Sequence, residues 1–429
     1  NTEHDLRATI VNHLNPNYNY IEVNKVDTVA MNIPYPGDFY TGYITVNQTS
    51  QSKIHYQLYA AGGNLNANGT VNVSAPLILS LAGGPGCADG DSYYETGPFR
   101  VISVNGTFVP VLNEVTLNDK YHLLYVDNPV GMGYSVENND MPNDSIKNGV
   151  YLKNFLIRFF ELFPSLKKQP FYWLGESYGG HWALGLAMNI LKDADQTGIN
   201  ISGIAFANGW FDPYNQIVGY NITGLAAGVI DLKTSQSIAD KQTQFQKNMT
   251  LGNWTAAYLV TEDITKSFPK GINIENYRNN TGNDPATALW LNTPSVKKGL
   301  AADPDAYWGG CQSLDYVFYL DKVQSYAPNV TYMLNNLNIK FLFYQGQDDL
   351  LVTAAGTQRA ILNLGWSKLP LWAATPKKIW RDTDGNVIGT YKTYDKLTFA
   401  IVNKAGHVDG IYQPWSVKDL MTRWISNNW

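Results

Sequence analysis

The sequence predicts an α/β fold: a mostly parallel central sheet with helices on both faces and a helical cap insertion. Three observations predict it. Continuous apolar runs of strand length recur along the 429 residues, the form taken by central strands covered on both faces. Apolar stripes at helical spacing lie between and after them. One run, Phe171-Tyr172-Trp173-Leu174, leads straight into Gly175-Glu176-Ser177-Tyr178-Gly179-Gly180, a glycine-framed serine in strand–turn–helix context.

Taken in order, residues 40–60 alternate (Tyr43, Thr45; Ile54, Tyr56, Leu58) and read as antiparallel edge strands. Central strands are expected over 76–81, 122–126, 171–174, 201–207, 340–344 and 397–402. Leu152, Phe155, Leu156, Phe159, Phe160 and Phe163 recur three to four apart, and Pro164 stops the run, so a core-packed helix is expected there. Val417, Leu420, Met421, Trp424 and Ile425 repeat the pattern near the C-terminus. Residues 210–310 break the strand rhythm, being polar, sequon-rich and locally helical. They are expected to form a cap inserted between two parts of the core, 1–209 and 311–429.

Composition narrows the function. A net charge of -5, with 16% charged residues and no basic run, excludes nucleic acid as a partner. Lys167-Lys168, Lys297-Lys298 and Lys377-Lys378 read as solvated surface. No stretch of about 18 apolar residues occurs, so no membrane span is expected. The chain opens at Asn1 with no charged-plus-apolar leader, as expected where a signal peptide has been removed or was never included. Asn-x-Ser/Thr sequons begin at Asn47, Asn68, Asn72, Asn105, Asn143, Asn200, Asn221, Asn248, Asn253, Asn279 and Asn329. Together they point to N-linked glycans and a secreted or vacuolar/lysosomal location. The two cysteines, Cys87 and Cys311, read most simply as one disulfide closing a long loop, the alternative being two buried thiols. No metal or other cofactor is called for.

The chemistry starts at Ser177. A sharp strand-to-helix turn would expose its Oγ, and small flanking residues would let strand and helix approach. A serine nucleophile needs a base, and the base needs an orienting carboxylate. Only two of the six histidines lie beyond Ser177. His181 falls on the elbow helix and reads as structural packing, which leaves His407, after the strand at 397–402, as the base. The acid is expected on the loop after 340–344, in Gln345-Gly346-Gln347-Asp348-Asp349, where spacing alone does not choose between the two aspartates. Asp127 also ends a strand but precedes the serine and reads as structural. Two backbone N–H groups should form an oxyanion hole: that of Tyr178, and one from the turn Gly83-Gly84-Pro85-Gly86.

These motifs, in this order, resemble the serine carboxypeptidase family of α/β-hydrolases over nearly the whole chain. Gly83-Gly84-Pro85-Gly86-Cys87 with Glu95-Thr96-Gly97-Pro98 is similar to the family's first signature. Tyr125-Val126-Asp127-Asn128-Pro129-Val130-Gly131-Met132-Gly133-Tyr134-Ser135 resembles its second, and 175–181 its nucleophile box. Asn208-Gly209-Trp210-Phe211-Asp212-Pro213 resembles the segment before its helical insertion. The stretch 344–349, then Ala405-Gly406-His407 with Pro414 beyond, resembles its acid and base segments. The resemblance implies Asp349 as the acid, the Gly84 and Tyr178 amides as the oxyanion hole, and a Cys87–Cys311 bridge. It also implies a clamp for a peptide's terminal carboxylate from Gly83, Glu95 and Glu176.

The chain departs from that pattern where exopeptidases of the family carry tryptophan and a carboxylate-binding asparagine. Here the register gives Ser80 and Ala82, the stretch from Cys87 to Glu95 is one residue short, and Ala88-Asp89 replace two serines. Losing the asparagine removes one donor, worth roughly 1–3 kcal/mol if buried. Glu95 and Glu176, if close, cannot both ionise cheaply, so one should hold a proton and donate it to a carboxylate. The resulting expectation is an acid-preferring carboxypeptidase that cuts the C-terminal residue of a peptide through an acyl-enzyme. The alternatives are an acyltransferase or esterase of the same fold, suggested by Ala82, and a non-catalytic secreted glycoprotein, against which the complete triad speaks.

Overall fold

The structure is a computed structural model that describes residues 9–62, 74–279 and 285–429. The described strands are β1 (Asn24–Lys25), β2 (Phe39–Thr45), β3 (Lys53–Tyr59), β4 (Leu77–Leu81), β5 (Phe99–Val104), β6 (Thr107–Leu112) and β7 (His122–Val126). They continue with β8 (Phe171–Glu176), β9 (Gly203–Ala207), β10 (Lys340–Gly346), β11 (Lys378–Arg381), β12 (Val387–Tyr394) and β13 (Leu397–Val402). All but β5 and β6, a separate hairpin, join one sheet in the order β1-β2-β3-β7-β4-β8-β9-β10-β13-β12-β11. The centre, β7-β4-β8-β9-β10-β13, is parallel throughout, and both edges are antiparallel.

Unbroken apolar runs suit these central strands because alternate residues feed different cores. Leu77, Leu79, Leu81, Trp173, Phe206, Phe341 and Phe343 pack on one face. Ile78, Tyr172, Leu174, Ala205, Leu342 and Tyr344 pack on the other. The helices Ser145–Leu162 and Gly179–Lys192 cover the first face. The helix Pro414–Ser426 covers the second through Val417, Leu420, Met421 and Trp424. The sheet places five consecutive strand ends, those of β4, β8, β9, β10 and β13, side by side. The functional loops leave from these ends, the placement typical of open α/β sheets.

The six expected central strands are present, and the parallel centre with helices on both faces is the predicted architecture. The helix expected from the 152–163 stripe begins earlier, at Ser145, because the Asp144 carboxylate caps it by accepting from Lys147 N at 2.7 Å. The edge pair β11–β12 and the hairpin β5–β6 were not anticipated. Their residues are largely exposed or half-buried, so the apolar signal that marks a central strand is weak there.

Within 210–310, the helices Leu232–Thr250 and Trp254–Thr265 pack on each other through Ile238, Phe245, Ala257 and Val260. The later part is built into the second core beside β2. There Thr41 Oγ1 donates to Leu300 O at 2.7 Å, and Asp303 N donates to the Tyr43 hydroxyl at 2.9 Å. Cys87 and Cys311 are bonded across 224 residues of sequence. Closing so long a loop stabilises the fold by on the order of 5 kcal/mol in the loop-entropy picture.

Candidate active site

The end of β8 runs into the helix Gly179–Lys192 through Ser177, whose φ is 55°. A serine seldom takes that left-handed conformation, so its surroundings must impose it. Ser177 N donates to Ala207 O at 2.9 Å and Ser177 O accepts from Trp210 N at 2.8 Å, tying the turn to the end of β9. A methyl on Gly179 would lie 2.0 Å from Leu81 O, which explains the glycine frame: the helix starts in contact with β4.

The Ser177 hydroxyl lies 2.8 Å from His407 Nε2, and His407 Nδ1 lies 2.8 Å from Asp349 Oδ2. The other Asp349 oxygen accepts from Leu351 N at 2.7 Å and Val352 N at 3.0 Å, which fixes the carboxylate's direction. Asp348 points elsewhere and pairs with Arg278 Nε at 2.8 Å. Burial opposes a charge on His407, but the facing Asp349 carboxylate outweighs it and raises the imidazole above its usual range. Burial likewise raises Asp349, partly offset by His407.

Asn208, at the end of β9, holds the histidine loop against the sheet. Its Oδ1 accepts from Gly346 N at 2.8 Å, while its Nδ2 donates to His407 O at 2.8 Å and to the Asp409 carboxylate. Sequence reasoning gave Asn208 no role. The available signal was its place at the head of the Asn-Gly-Trp segment.

The turn Gly83-Gly84-Pro85-Gly86 lies on the elbow. A methyl on Gly83 would sit 2.6 Å from Ser177 Cβ and 2.7 Å from Tyr178 N. The Gly84 turn and the Tyr178 amide are therefore neighbours. His181 is fully buried among aromatic rings, as its packed reading implies. Asp127 is buried beside His55 and accepts from Tyr134 N.

Glu95 and Glu176 come together with a third carboxyl, Asp91, their nearest oxygens all within 4.8 Å. Glu95 and Glu176 face each other within this cluster, and Gly410 N donates to Glu95 Oε2 at 3.1 Å. Ser80 Oγ donates to Asp91 Oδ2 at 3.3 Å, so the serine that replaces the expected tryptophan is part of the cluster. Burial, then repulsion from the Asp91 carboxylate, pushes Glu95 and Glu176 well above the carboxylate range. Burial raises Asp91 to about 6, and also raises Asp89 and Asp409 nearby. Asp89, Asp91 and Asp409 were missed as members because nothing in their spacing marks them. Ala82 is buried and offers no side-chain donor here.

Of the sequon asparagines, Asn47, Asn105, Asn143, Asn200, Asn221, Asn248, Asn253, Asn279 and Asn329 are all half-buried or exposed. Asn68 and Asn72 lie outside the described residues.

A parallel sheet carrying a serine elbow, with histidine and aspartate on later strand-end loops, is the arrangement of an α/β-hydrolase. The chain belongs to the serine carboxypeptidase family, whose sequence model matches residues 31–427. It is a serine-type carboxypeptidase, a hydrolase. Among similar proteins are the human probable serine carboxypeptidase CPVL, 28% identical over 444 residues, covering 95% of this chain and 88% of that protein. Another is the venom serine carboxypeptidase of Apis mellifera, 28% identical over 409 residues, covering 90% and 84%. The crystal structure of Kex1(delta)p, a prohormone-processing carboxypeptidase from Saccharomyces cerevisiae, shares the fold with a TM-score of 0.81. It is 21% identical and the match covers 94% of this chain and 95% of that one.

Proposed function

We propose that the chain releases C-terminal residues from peptides through an acyl-enzyme formed on Ser177. The observation that carries this reading is the unbroken line from Ser177 Oγ through His407 to Asp349, each link 2.8 Å. His407 Nε2 takes the hydroxyl proton as Oγ attacks the scissile carbonyl carbon. The Gly84 and Tyr178 amides hold the oxyanion that forms. The tetrahedral species collapses, the C–N bond breaks, and His407 returns its proton to the departing amine. Water, deprotonated by the same imidazole, then cleaves the ester and restores the hydroxyl. Within 210–310, the helical pair Leu232–Thr250 and Trp254–Thr265 acts as the cap over this site, while the later residues belong to the second core. The exposed sequons favour a glycosylated protein of the secretory route, either secreted or vacuolar.

Substrate selection falls to Gly83, Glu95 and Glu176. A protonated member of the glutamate pair donates to the substrate's terminal carboxylate, which an ionised one would repel. As pH rises through the raised pKa of the pair, that proton is lost and KM for free-carboxylate substrates should increase. As pH falls below the raised pKa of His407, the base is protonated and kcat should decrease. The acid preference therefore resides in KM, while kcat opposes it.

Blocked dipeptides with a free, amidated or esterified C-terminus, followed by mass between pH 4 and 8, test this. The free acid should show a pH-dependent KM and the neutral substrates a nearly flat one. Ala82→Asn should tighten the free acid alone, by up to about a hundredfold if one buried charge-assisted hydrogen bond is gained. A wild type that prefers amides or esters, with Ala82→Asn silent, would replace this reading by an esterase or acyltransferase.

A further inference from the structure

The two proposed oxyanion donors sit on different elements, yet one segment, 311–323, grips both. At its start, Cys311 is bonded to Cys87, and main-chain bonds run from Gln312 N to Gly86 O at 3.2 Å and from Leu314 N to Pro85 O at 2.8 Å. These hold the turn that carries Gly84. At its end, Asp321 is only 2% exposed. Its Oδ2 accepts from the Tyr178 hydroxyl and from Ser145 Oγ, and lies 3.4 Å from His181 Nδ1. Its Oδ1 accepts from the Tyr326 hydroxyl at 2.8 Å. Between the two ends, Phe318 packs edge-on against Trp182 at 4.9 Å and Tyr178 at 6.3 Å.

We propose that Asp321 is a positioning residue for the oxyanion hole, and that 311–323 is a brace joining its two arms. The inference rests on the assignment of the Gly84 and Tyr178 amides made above. Tyr178 follows a residue held at φ 55°, so the peptide plane bearing its N–H must resist relaxation of that strain. A donor stabilises an oxyanion only when it is aimed before the charge develops. Anchoring the Tyr178 ring by its hydroxyl at one end, with the strained elbow at the other, fixes the plane between them. Asp321 is suited to the task as an ionised acceptor. Burial would raise its pKa, but His181 and the Ser145 and Tyr178 hydroxyls more than offset this and hold it to about 2.

Two variants test the brace. Asp321→Asn weakens the acceptor, and Tyr178→Phe deletes the anchoring hydroxyl while keeping the amide. Each should lower kcat by about 10- to 100-fold with KM within threefold. The rate of fluorophosphonate labelling at Ser177 should fall by the same factor, and the inhibition constant of an N-blocked product acid should stay unchanged. The double variant should be no worse than the poorer single, because both changes cut one link. Full kcat in folded variants that merely melt earlier would overturn the proposal, as would multiplicative losses in the double. If Asp321→Asn does not fold, Tyr178→Phe decides by the same criteria. A wild type inert to both peptide and fluorophosphonate would instead refute the function proposed above and not the brace alone.

Discussion

Ser177→Ala should abolish fluorophosphonate labelling and lower turnover by on the order of a millionfold, the scale of losing a serine nucleophile that works as a unit with its base. Alanine removes one oxygen from a turn whose main-chain bonds to Ala207 and Trp210 do not involve the hydroxyl, so the fold should be retained. Binding of an N-blocked product acid should change little. Labelling of any other serine, or turnover within tenfold of wild type, would sink the assignment of Ser177.

Asp349→Asn should cost roughly 10⁴-fold in kcat, against less than tenfold for Asp348→Asn. The asymmetry follows from where each side chain points. Asp349 fixes the imidazole through Nδ1, and its second oxygen is locked by two main-chain amides. An asparagine there would present an amide N–H to the ring or leave the tautomer unspecified. Asp348 is buried but pairs with the mostly exposed Arg278, which water can solvate when the pair is lost, so the change touches stability and not the triad. Steady-state kinetics of the two variants side by side settle the matter, and equal losses would refute the roles given to the pair.

Much of this was legible in the sequence because its signals are local. The elbow needs small residues within two positions of Ser177, and a central strand needs five or six apolar residues in a row. The choice of His407 needed only the order of elements along the chain. Asp349 and Asp348 were not separable by spacing, since both end the same strand and only the direction of one side chain distinguishes them. The contacts that were invisible join residues far apart in sequence without any periodic pattern. Asn208 reaches His407 across 199 residues and Tyr178 reaches Asp321 across 143. Nothing in the spacing around Asp91 marks it, and only folding sets it against Glu95 and Glu176. The outer strands β11 and β12 were hidden because an edge faces solvent and can be polar.

The buried carboxyls beside the nucleophile also tie the folding equilibrium to proton activity. Asp89, Asp91, Glu95, Glu176 and Asp409 are all raised, with burial the leading cause. In the unfolded chain each would ionise near pH 4. Between there and its folded value, the native state holds protons that the unfolded state has released. The molecule therefore takes up protons as it folds, and these groups make its stability fall as pH rises from about 4 past the value of about 6 at Asp91. Refolding in weakly buffered solution near pH 6 should drive the pH upward, and the urea midpoint should be higher at pH 5 than at pH 7.5. A midpoint that rises over that interval would mean these carboxyls are ionised in the native protein. The acids proposed to select a substrate thus also favour the native state in mildly acidic surroundings.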